Sequence, residues 1–307
     1  MYTIPPKKMV IINILDILKK YSDMDHRLTQ AQIIEILKKN EKGEEIPICT
    51  DWYITREFDD SEIRLLIDSV LFSKTIPQKQ CKKLIDKLKG LSNIYFEKKV
   101  NHICSLPEIR PENKELFYTI DVLDEAISKG KKVSFIYNSY GTDKKLHPKR
   151  EREYVINPYQ MVATNGRYYL ICNYDKYDTL SNYRIDRITG IKMMNEKRKS
   201  INELKEGEIN LPKHMAEHLY MFAGESIRVK FKAKNYIIDQ IIDWFGFGPK
   251  ITKQDEDTCM VEVEVNEEAF FHWAMQYGLH IEVLEPTSMR ERIMSAIKEL
   301  NDKYVTH

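Results

Sequence analysis

The 307-residue chain has few cysteines: there are five, and no two of them form a Cys-x-x-Cys pair. An odd number of scattered cysteines does not make a disulfide framework, so we expect reduced thiols and a cytoplasmic protein. The sequence also lacks an uncharged apolar run of about 18 residues, which a membrane span requires. Its basic N-terminus is not followed by the small-residue cleavage site of a signal peptide.

The common catalytic and nucleotide-binding motifs are missing as well. There is no Gly-x-Ser-x-Gly, no P-loop and no His-Glu-x-x-His in the sequence. Gly246-Phe247-Gly248 lacks the third glycine of a dinucleotide loop and follows a helical pattern, so it is predicted to end a helix. His214 and His218 have the spacing of two zinc ligands but no third ligand nearby. We therefore expect no enzyme, no metal and no cofactor.

The net charge of +1 conceals an uneven distribution along the chain. Residues 131–199 contain 15 Lys and Arg against 7 Asp and Glu, a net charge of +8, whereas residues 200–307 have a net charge of −7. A basic middle segment favours an anionic ligand. The alternative is a solvated surface that is merely unevenly charged.

The first 50 residues have the periodicity of two short amphipathic helices joined by a polar turn. Thr29 and Gln32 have the spacing of a capping box at the start of the second helix. Such a pair can begin a helix-turn-helix, in which a third helix enters the major groove of DNA. The candidate DNA-binding residues are Arg27, Thr29, Gln30 and Gln32.

Residues 41–50 show no third amphipathic helix and no face rich in Ser, Thr or Arg. Further helices are predicted in residues 51–128, one capped by Ser61, one opened by Pro77 and one covering residues 116–127. We interpret residues 51–128 as a helical connector, with the possibility of a dimer contact.

The period changes to two after Lys131, where Val133, Phe135 and Tyr137 alternate with polar residues. Short strands follow in residues 154–156, 161–164, 168–173 and 183–185, and Asn165-Gly166 is a strong hairpin signal. This alternation also predicts that one of Tyr168 and Tyr169 is buried. Several short strands within about 65 residues favour a small barrel.

The last third has the order strand, helix, strand, strand, helix, strand and a final helix. This β-α-β-β-α-β order is typical of a ferredoxin-like domain. The Trp244/Phe245 and Phe270/Phe271/Trp273 groups have helical spacing and are predicted to form its core.

Three stretches of the middle segment resemble the WYL domain: residues 157–160 (Asn-Pro-Tyr-Gln), residues 165–170 (Asn-Gly-Arg-Tyr-Tyr-Leu) and residues 182–188 (Asn-Tyr-Arg-Ile-Asp-Arg-Ile). The Trp-Tyr-Leu of the family is Tyr168-Tyr169-Leu170 in this chain. The resemblance implies an α+β multidomain regulator: a winged helix-turn-helix-like region, an Sm-like β-barrel and a ferredoxin-like C-terminal extension. It also implies a dimeric transcription factor whose barrel binds nucleic-acid fragments, nucleotides or related effectors.

The chain departs from the family after residues 30–38. Family members continue with a basic recognition helix and a small wing, whereas Lys39-Asn40 runs directly into Glu41-Lys42-Gly43 here. Some 25 residues are expected to be deleted at this point, or to be missing through a chain break between Asn40 and Glu41. A true deletion would affect DNA reading but not effector binding.

Arginines and tyrosines of the middle segment are the candidate effector-binding residues. Guanidinium groups recognise phosphate in a planar, bidentate manner, and tyrosine rings can stack on bases. The alternative is that about half of the tyrosines are core residues and that Asp186 pairs with a neighbouring arginine. The full set is Tyr137, Arg150, Arg152, Tyr159, Tyr168, Tyr183, Arg184 and Arg187.

We therefore predict four regions: a helix-turn-helix-like region (1–50) without an evident recognition helix, the connector (51–128), a WYL-like barrel (129–200) and a ferredoxin-like extension (201–307). The predicted function is a ligand-responsive, homodimeric transcription regulator that binds an operator DNA and a single-stranded nucleic acid, a nucleotide or another anionic effector. One alternative is an effector-binding module that acts through a partner without contacting DNA. The other is an enzyme that acts on nucleotides.

Overall fold

The computed structural model describes residues 7–23, 25–40, 52–100, 113–204, 221–222, 224 and 226–305. The chain divides into two compact units, Met1–Lys114 and Glu115–His307. Within the described residues, no helix has both the length and the apolar composition needed to cross a membrane.

The first unit is helical. Its helices are α1 (Lys7–Tyr21), α2 (Gln30–Asn40), α3 (Asp60–Phe72), α4 (Gln78–Lys89) and α5 (Ile94–Val100). One cluster of buried side chains joins α1 and α2 and includes Ile17, Leu18, Leu28 and Ile33. A second cluster joins α3, α4 and α5 and includes Ile63, Ile67, Cys81, Ile85, Phe96 and Val100.

The predicted capping box of α2 is confirmed. The backbone N–H of Thr29 donates to the side chain of Gln32 at 2.8 Å, and the backbone N–H of Gln32 donates to Thr29 Oγ1 at 3.3 Å. Just before α2, Leu28 pairs with Trp52 through two backbone hydrogen bonds of 2.8 Å. The predicted break and the missing recognition helix concern residues 41–51, which lie outside the described residues.

The prediction that Ser61 caps α3 is wrong, because Asp59 is the N-cap residue. The Asp59 carboxylate accepts the backbone N–H of Glu62 at 2.8 Å, and Glu62 accepts the backbone N–H of Asp59 at 2.9 Å. Ser61 lies inside the first turn and donates its hydroxyl to Asp59. A carboxylate two residues earlier in the chain therefore outcompetes the serine for the free helix N–H groups.

The second unit begins with α6 (Leu116–Lys129) and six strands: β1 (Lys131–Tyr140), β2 (Leu146–Pro148), β3 (Tyr154–Thr164), β4 (Arg167–Asn173), β5 (Leu180–Arg184) and β6 (Ile188–Lys197). Strands β2-β1-β3-β4-β5 are neighbours in that order, and β6 pairs with β1. A 3-10 turn, Ile185–Arg187, connects β5 to β6. The sheet curls into a half-barrel, and α6 packs against β1, β3 and β6.

The Asn165-Gly166 hairpin between β3 and β4 is confirmed, since both residues have positive φ angles of 50° and 71°. Two consecutive residues with positive φ form the turn that matches the twist of a two-stranded ribbon. The alternating pattern did not reveal β2 or β6. It also led to a wrong prediction for Tyr168 and Tyr169, because both tyrosines are half-buried and neither is fully enclosed.

The C-terminal part is ferredoxin-like, as predicted. Its elements are β7 (Ser226–Lys234), α7 (Ile238–Phe245), β8 (Lys250–Lys253), β9 (Thr258–Asn266), α8 (Glu267–Gln276), β10 (Ile281–Glu285) and α9 (Thr287–Val305). The antiparallel strand order is β10-β7-β9-β8. Phe245, Phe270 and Trp273 are buried in its core, with Trp244 and Phe271 at its edge. Gly246, with a φ of 69°, ends α7 as predicted. The predicted mixed α+β class is thus confirmed.

Candidate functional site

Arg184 lies at the end of β5 and forms a bidentate ion pair with Asp186 in the following 3-10 turn. Arg184 Nε donates to Asp186 Oδ1 at 3.0 Å, and Arg184 Nη2 donates to Asp186 Oδ2 at 2.6 Å. The expected pairing of Asp186 with a neighbouring arginine is therefore confirmed. The Asp186 side chain is only 1% exposed and that of Arg184 is 15% exposed. Burial lowers the pKa of Arg184, but Asp186 outweighs this effect and raises the pKa above its usual value.

Arg187 lies three residues further on, at the end of the same turn, and differs from Arg184 in its partners. Among the described residues no carboxylate pairs with Arg187, and its buried Nε atom makes no hydrogen bond. Its guanidinium carbon lies 5.8 Å from the centre of the Tyr140 ring. Tyr140 is 45% exposed at the end of β1. Arg187 thus offers an uncompensated positive charge beside an accessible aromatic ring.

Tyr169 connects these two arginines to a third. Tyr169 lies directly opposite Arg184 in the β4–β5 pair, and Arg167 lies two residues earlier on β4, on the same face of the sheet. Burial raises the pKa of Tyr169, while the positive charges of Arg184, Arg167 and Arg187 act in the opposite direction. We call Arg167, Arg184 and Arg187 the arginine cluster. Asp186 is the one carboxylate whose charge is seen to act on the Tyr169 hydroxyl, so positive charge predominates around that hydroxyl.

Tyr137 and Tyr183 belong to an aromatic group inside the half-barrel. Their ring centres are 4.8 Å apart in an edge-to-face arrangement, and both rings also contact Phe135 and Tyr154. The backbone N–H of Arg184 donates to the Tyr137 hydroxyl at 3.3 Å. Burial raises the pKa values of both tyrosines. The two rings therefore pack inside the half-barrel next to the arginine cluster, and they do not offer a free face for stacking on a base.

Tyr159 lies away from the arginine cluster. It is buried with Val162, Ile171 and Leu204, and its hydroxyl donates to the carbonyl of Lys199 at 3.0 Å. Burial raises its pKa to about 12. Tyr159 is therefore a core residue of β3, and its hydroxyl is hydrogen-bonded to the segment that follows β6.

Arg150, Arg152 and Tyr168 occupy three further positions. Arg150 stacks on the Tyr154 ring at 3.4 Å and donates to the carbonyls of Arg152 and Glu153. Arg152 is exposed in the loop before β3. Burial, together with the negative charge of Asp124 on α6, raises the pKa of the half-buried Tyr168. The structure thus brings Tyr137, Tyr183, Arg184 and Arg187 together, and Arg150 joins the same aromatic group through Tyr154. Arg152, Tyr159 and Tyr168 lie apart from them.

The four DNA-binding candidates lie at the start of α2 in the first unit. The side chains of Thr29 and Gln32 are hydrogen-bonded to each other in the capping box at 3.0 Å. The guanidinium of Arg27 lies 5.1 Å from the centre of the Tyr53 ring, and Gln30 is half-buried in the first turn of α2.

The prediction of effector residues omitted Arg167, Tyr169 and Tyr140. A period of two on β4 would have indicated that Arg167 shares the face of Tyr169. The proximity of Tyr140 to Arg187 carries no local sequence signal, since it depends on the pairing of β1 with β6. Within the described ranges, no group of three or more His, Cys, Asp and Glu side chains could hold a metal ion. His214 and His218 lie outside the described residues.

Two family profiles match the second unit. Residues 118–193 match the WYL domain, and residues 223–300 match the WCX domain. No curated protein matches the chain.

Two solved structures align with much of the chain at low identity. Proteasome accessory factor B/C (PafBC) of Arthrobacter aurescens aligns with 97% of this chain at 12% identity and a TM-score of 0.32. The alignment covers 51% of the PafBC chain, so the present chain spans about half of its length. A CRISPR Cas-related protein aligns with 82% of this chain and 76% of its own, at 18% identity and a TM-score of 0.44.

The matched segments together cover half of the chain, and they coincide with the half-barrel and with the ferredoxin-like part. The chain therefore contains a WYL domain followed by a WCX domain.

Proposed function

We propose that the protein is a transcription regulator whose WYL half-barrel binds a phosphate-bearing effector at the arginine cluster. The effector class is a short single-stranded nucleic acid or a nucleotide. The observation that carries this proposal is Arg187, a half-buried arginine without a described carboxylate or hydrogen-bond partner. Its charge acts on the Tyr169 hydroxyl together with those of Arg184 and Arg167, against the single carboxylate of Asp186. An uncompensated guanidinium with a buried N–H is suited to a charge-assisted hydrogen bond with a phosphate oxygen.

Tyr140 supplies the stacking surface in this proposal. Its ring is accessible, and it lies beside Arg187. Stacking of one base on an aromatic ring contributes about 1–3 kcal/mol and tolerates any base. The effector is therefore expected to bind through its phosphate with little sequence preference.

An enzymatic role receives less support. A nucleotide-acting enzyme would need a carboxylate pair or a metal beside the arginines, and the nearest carboxylate, Asp186, is buried and already bound to Arg184. A purely effector-binding module differs from a regulator in one property, DNA binding. Mobility shift of duplex DNA by the full chain distinguishes these two.

A homodimer is part of the proposal. The half-barrel segment is basic and the C-terminal segment is acidic, so the two can attract each other across a two-fold axis. Light scattering of the full chain at micromolar concentration is expected to give twice the mass of 36.4 kDa. A monomer mass at that concentration would remove the dimer from the proposal.

The effector proposal is tested with a fluorescently labelled pentanucleotide titrated into the full chain at several salt concentrations. Arg187→Ala and Arg167→Ala are each expected to weaken binding and to flatten the slope of log K against log salt by about one unit. Tyr140→Ala is expected to weaken binding and leave the slope unchanged. The matched control is Lys253→Ala, an exposed cation of the C-terminal sheet. Equal binding by the arginine variants and the control would exclude the site.

A further inference from the structure

Helix α4 of the first unit has a face of lysines that the WYL half-barrel and its effector do not explain. Lys79, Lys82, Lys83 and Lys87 are all exposed on α4, and we call them the α4 lysine face. Among the described residues none of the four forms an ion pair or a hydrogen bond through its ammonium group. The one carboxylate of the helix, Asp86, lies on the same side and is also exposed.

The stability of the helix does not account for this arrangement. Lys79, Lys83 and Lys87 follow one another at a spacing of four residues, at which like charges repel. Lys79 also lies in the first turn, where the helix dipole disfavours a cation. Asp86 is the one carboxylate of α4 against these four lysines, so most of the repulsion remains, and an external anion would relieve it.

The remaining face of α4 shows which kind of anion fits. The apolar residues of the helix are committed to the protein core: Cys81 and Ile85 are buried, and Leu88 packs against the same cluster. A helix that lies on a membrane inserts its apolar face into the lipid, but none of the apolar side chains of α4, including the half-buried Leu84, is exposed. Its outward face is suited to a hydrophilic polyanion.

A neighbouring cleft extends the positive charge toward α1. The cleft has a volume of about 640 Å³, and its charged lining is four cations, Lys19, Lys20, Arg56 and Lys89, against three carboxylates, Glu57, Asp86 and Glu97. From Lys79 to Lys89 the helix rises about 15 Å, a length over which one strand of B-DNA has about four phosphates. The lysines thus follow a line of charge about as long as four phosphates of one DNA strand.

We infer that the α4 lysine face binds the phosphate backbone of double-stranded DNA, independently of base sequence. The inference adds to the proposed function a DNA contact outside the predicted helix-turn-helix-like segment. The backbone contact would fix the first unit on the duplex, since phosphate contacts supply position and affinity rather than specificity.

The test is fluorescence anisotropy of a labelled 25-base-pair duplex of arbitrary sequence with the full chain, between about 50 and 250 mM salt. The variant Lys79→Gln/Lys83→Gln/Lys87→Gln is expected to bind at least about tenfold more weakly at low salt. Its slope of log K against log salt should be flatter by about two to three units, because each phosphate contact contributes about 0.9. Replacing the same three lysines by Arg should preserve both the duplex affinity and the slope of log K against log salt.

The matched control removes three exposed lysines from the C-terminal part, as Lys234→Gln/Lys253→Gln/Lys298→Gln. It makes the same change in net charge and should retain the duplex affinity and the slope of the original chain. If the α4 variant and this control bind the duplex equally, the inference is wrong. Binding to phosphatidylserine vesicles that needs the α4 lysines, without duplex binding, would also overturn it.

The result is distinguishable from that of the effector proposal. The α4 variant should bind the pentanucleotide normally, whereas Arg187→Ala should bind the duplex normally through α4. A failure of pentanucleotide binding alone would refute the effector site and leave the α4 inference standing. A failure of duplex binding alone would refute the α4 inference and leave the effector site standing.

Discussion

Asp186→Asn is the substitution that separates stability from ligand binding at the arginine cluster. Asp186 is 1% exposed and neutralises Arg184 through two hydrogen bonds. Removing one partner of a buried ion pair costs about 3–5 kcal/mol because the other charge remains uncompensated. Arg184 is 15% exposed, and the amide keeps one accepting oxygen. We therefore expect a cost at or just below the lower end of that range, about 2–3 kcal/mol.

Thermal unfolding of the full chain measures this loss. For a unit of roughly 200 residues, 1 kcal/mol corresponds to about 2–4 °C, so the melting temperature should fall by about 5–10 °C. Asp178→Asn is the control, because Asp178 is 71% exposed in its pair with Lys199. An exposed pair contributes at most about 1 kcal/mol.

Asp186→Asn should also bind the effector more tightly, since Arg184 is then free to contact a phosphate. The slope of log K against log salt should become steeper by about one unit. A variant that is as stable as the control, or that is destabilised but binds the pentanucleotide more weakly, would refute the role assigned to Asp186.

Three further predictions concern the fold. Asp59→Ala removes the N-cap of α3 and should lower the free energy of unfolding of the first unit by about 1 kcal/mol in urea titrations, whereas Ser61→Ala should cost less. Gly166→Val forces a β-branched residue into a positive φ and should destabilise the second unit by about 1–2 kcal/mol, measured by thermal unfolding. Burial acts to raise the pKa of Asp23, but hydrogen bonds from His26 and Asn93 outweigh burial and hold this pKa below its usual value. The resulting stability is present above about pH 4 and is lost as the pH falls through the lowered pKa. Asp23→Asn should therefore flatten the acidic limb of a stability-against-pH curve.

Local periodicity was sufficient for most of the elements and for the ferredoxin-like order. The helical spacing of Phe270 and Trp273 and the alternation of β7 and β9 place the side chains of one core, which includes Phe231, Phe245 and Val261. The Asn165-Gly166 turn was equally predictable, because few residue pairs accept two positive φ angles.

The composition of the arginine cluster could be predicted only in part. Arg184 and Arg187 are close in sequence, but their different roles depend on which of them reaches Asp186 across the 3-10 turn. Tyr140 reaches Arg187 only because β1 pairs with β6, and long-range pairing has no local signature. The tyrosines were harder still, because alternation shows which face a ring lies on but not what covers that face.

The central claim is that a phosphate of the effector binds the guanidinium of Arg187. A crystal structure of the full chain with a bound pentanucleotide tests it most directly. We predict a phosphate oxygen within about 2.7–2.9 Å of an Arg187 nitrogen, a second contact from Arg167, and a base on the Tyr140 ring. A pentanucleotide bound at another surface, with the guanidinium of Arg187 still without an anion, would contradict the account.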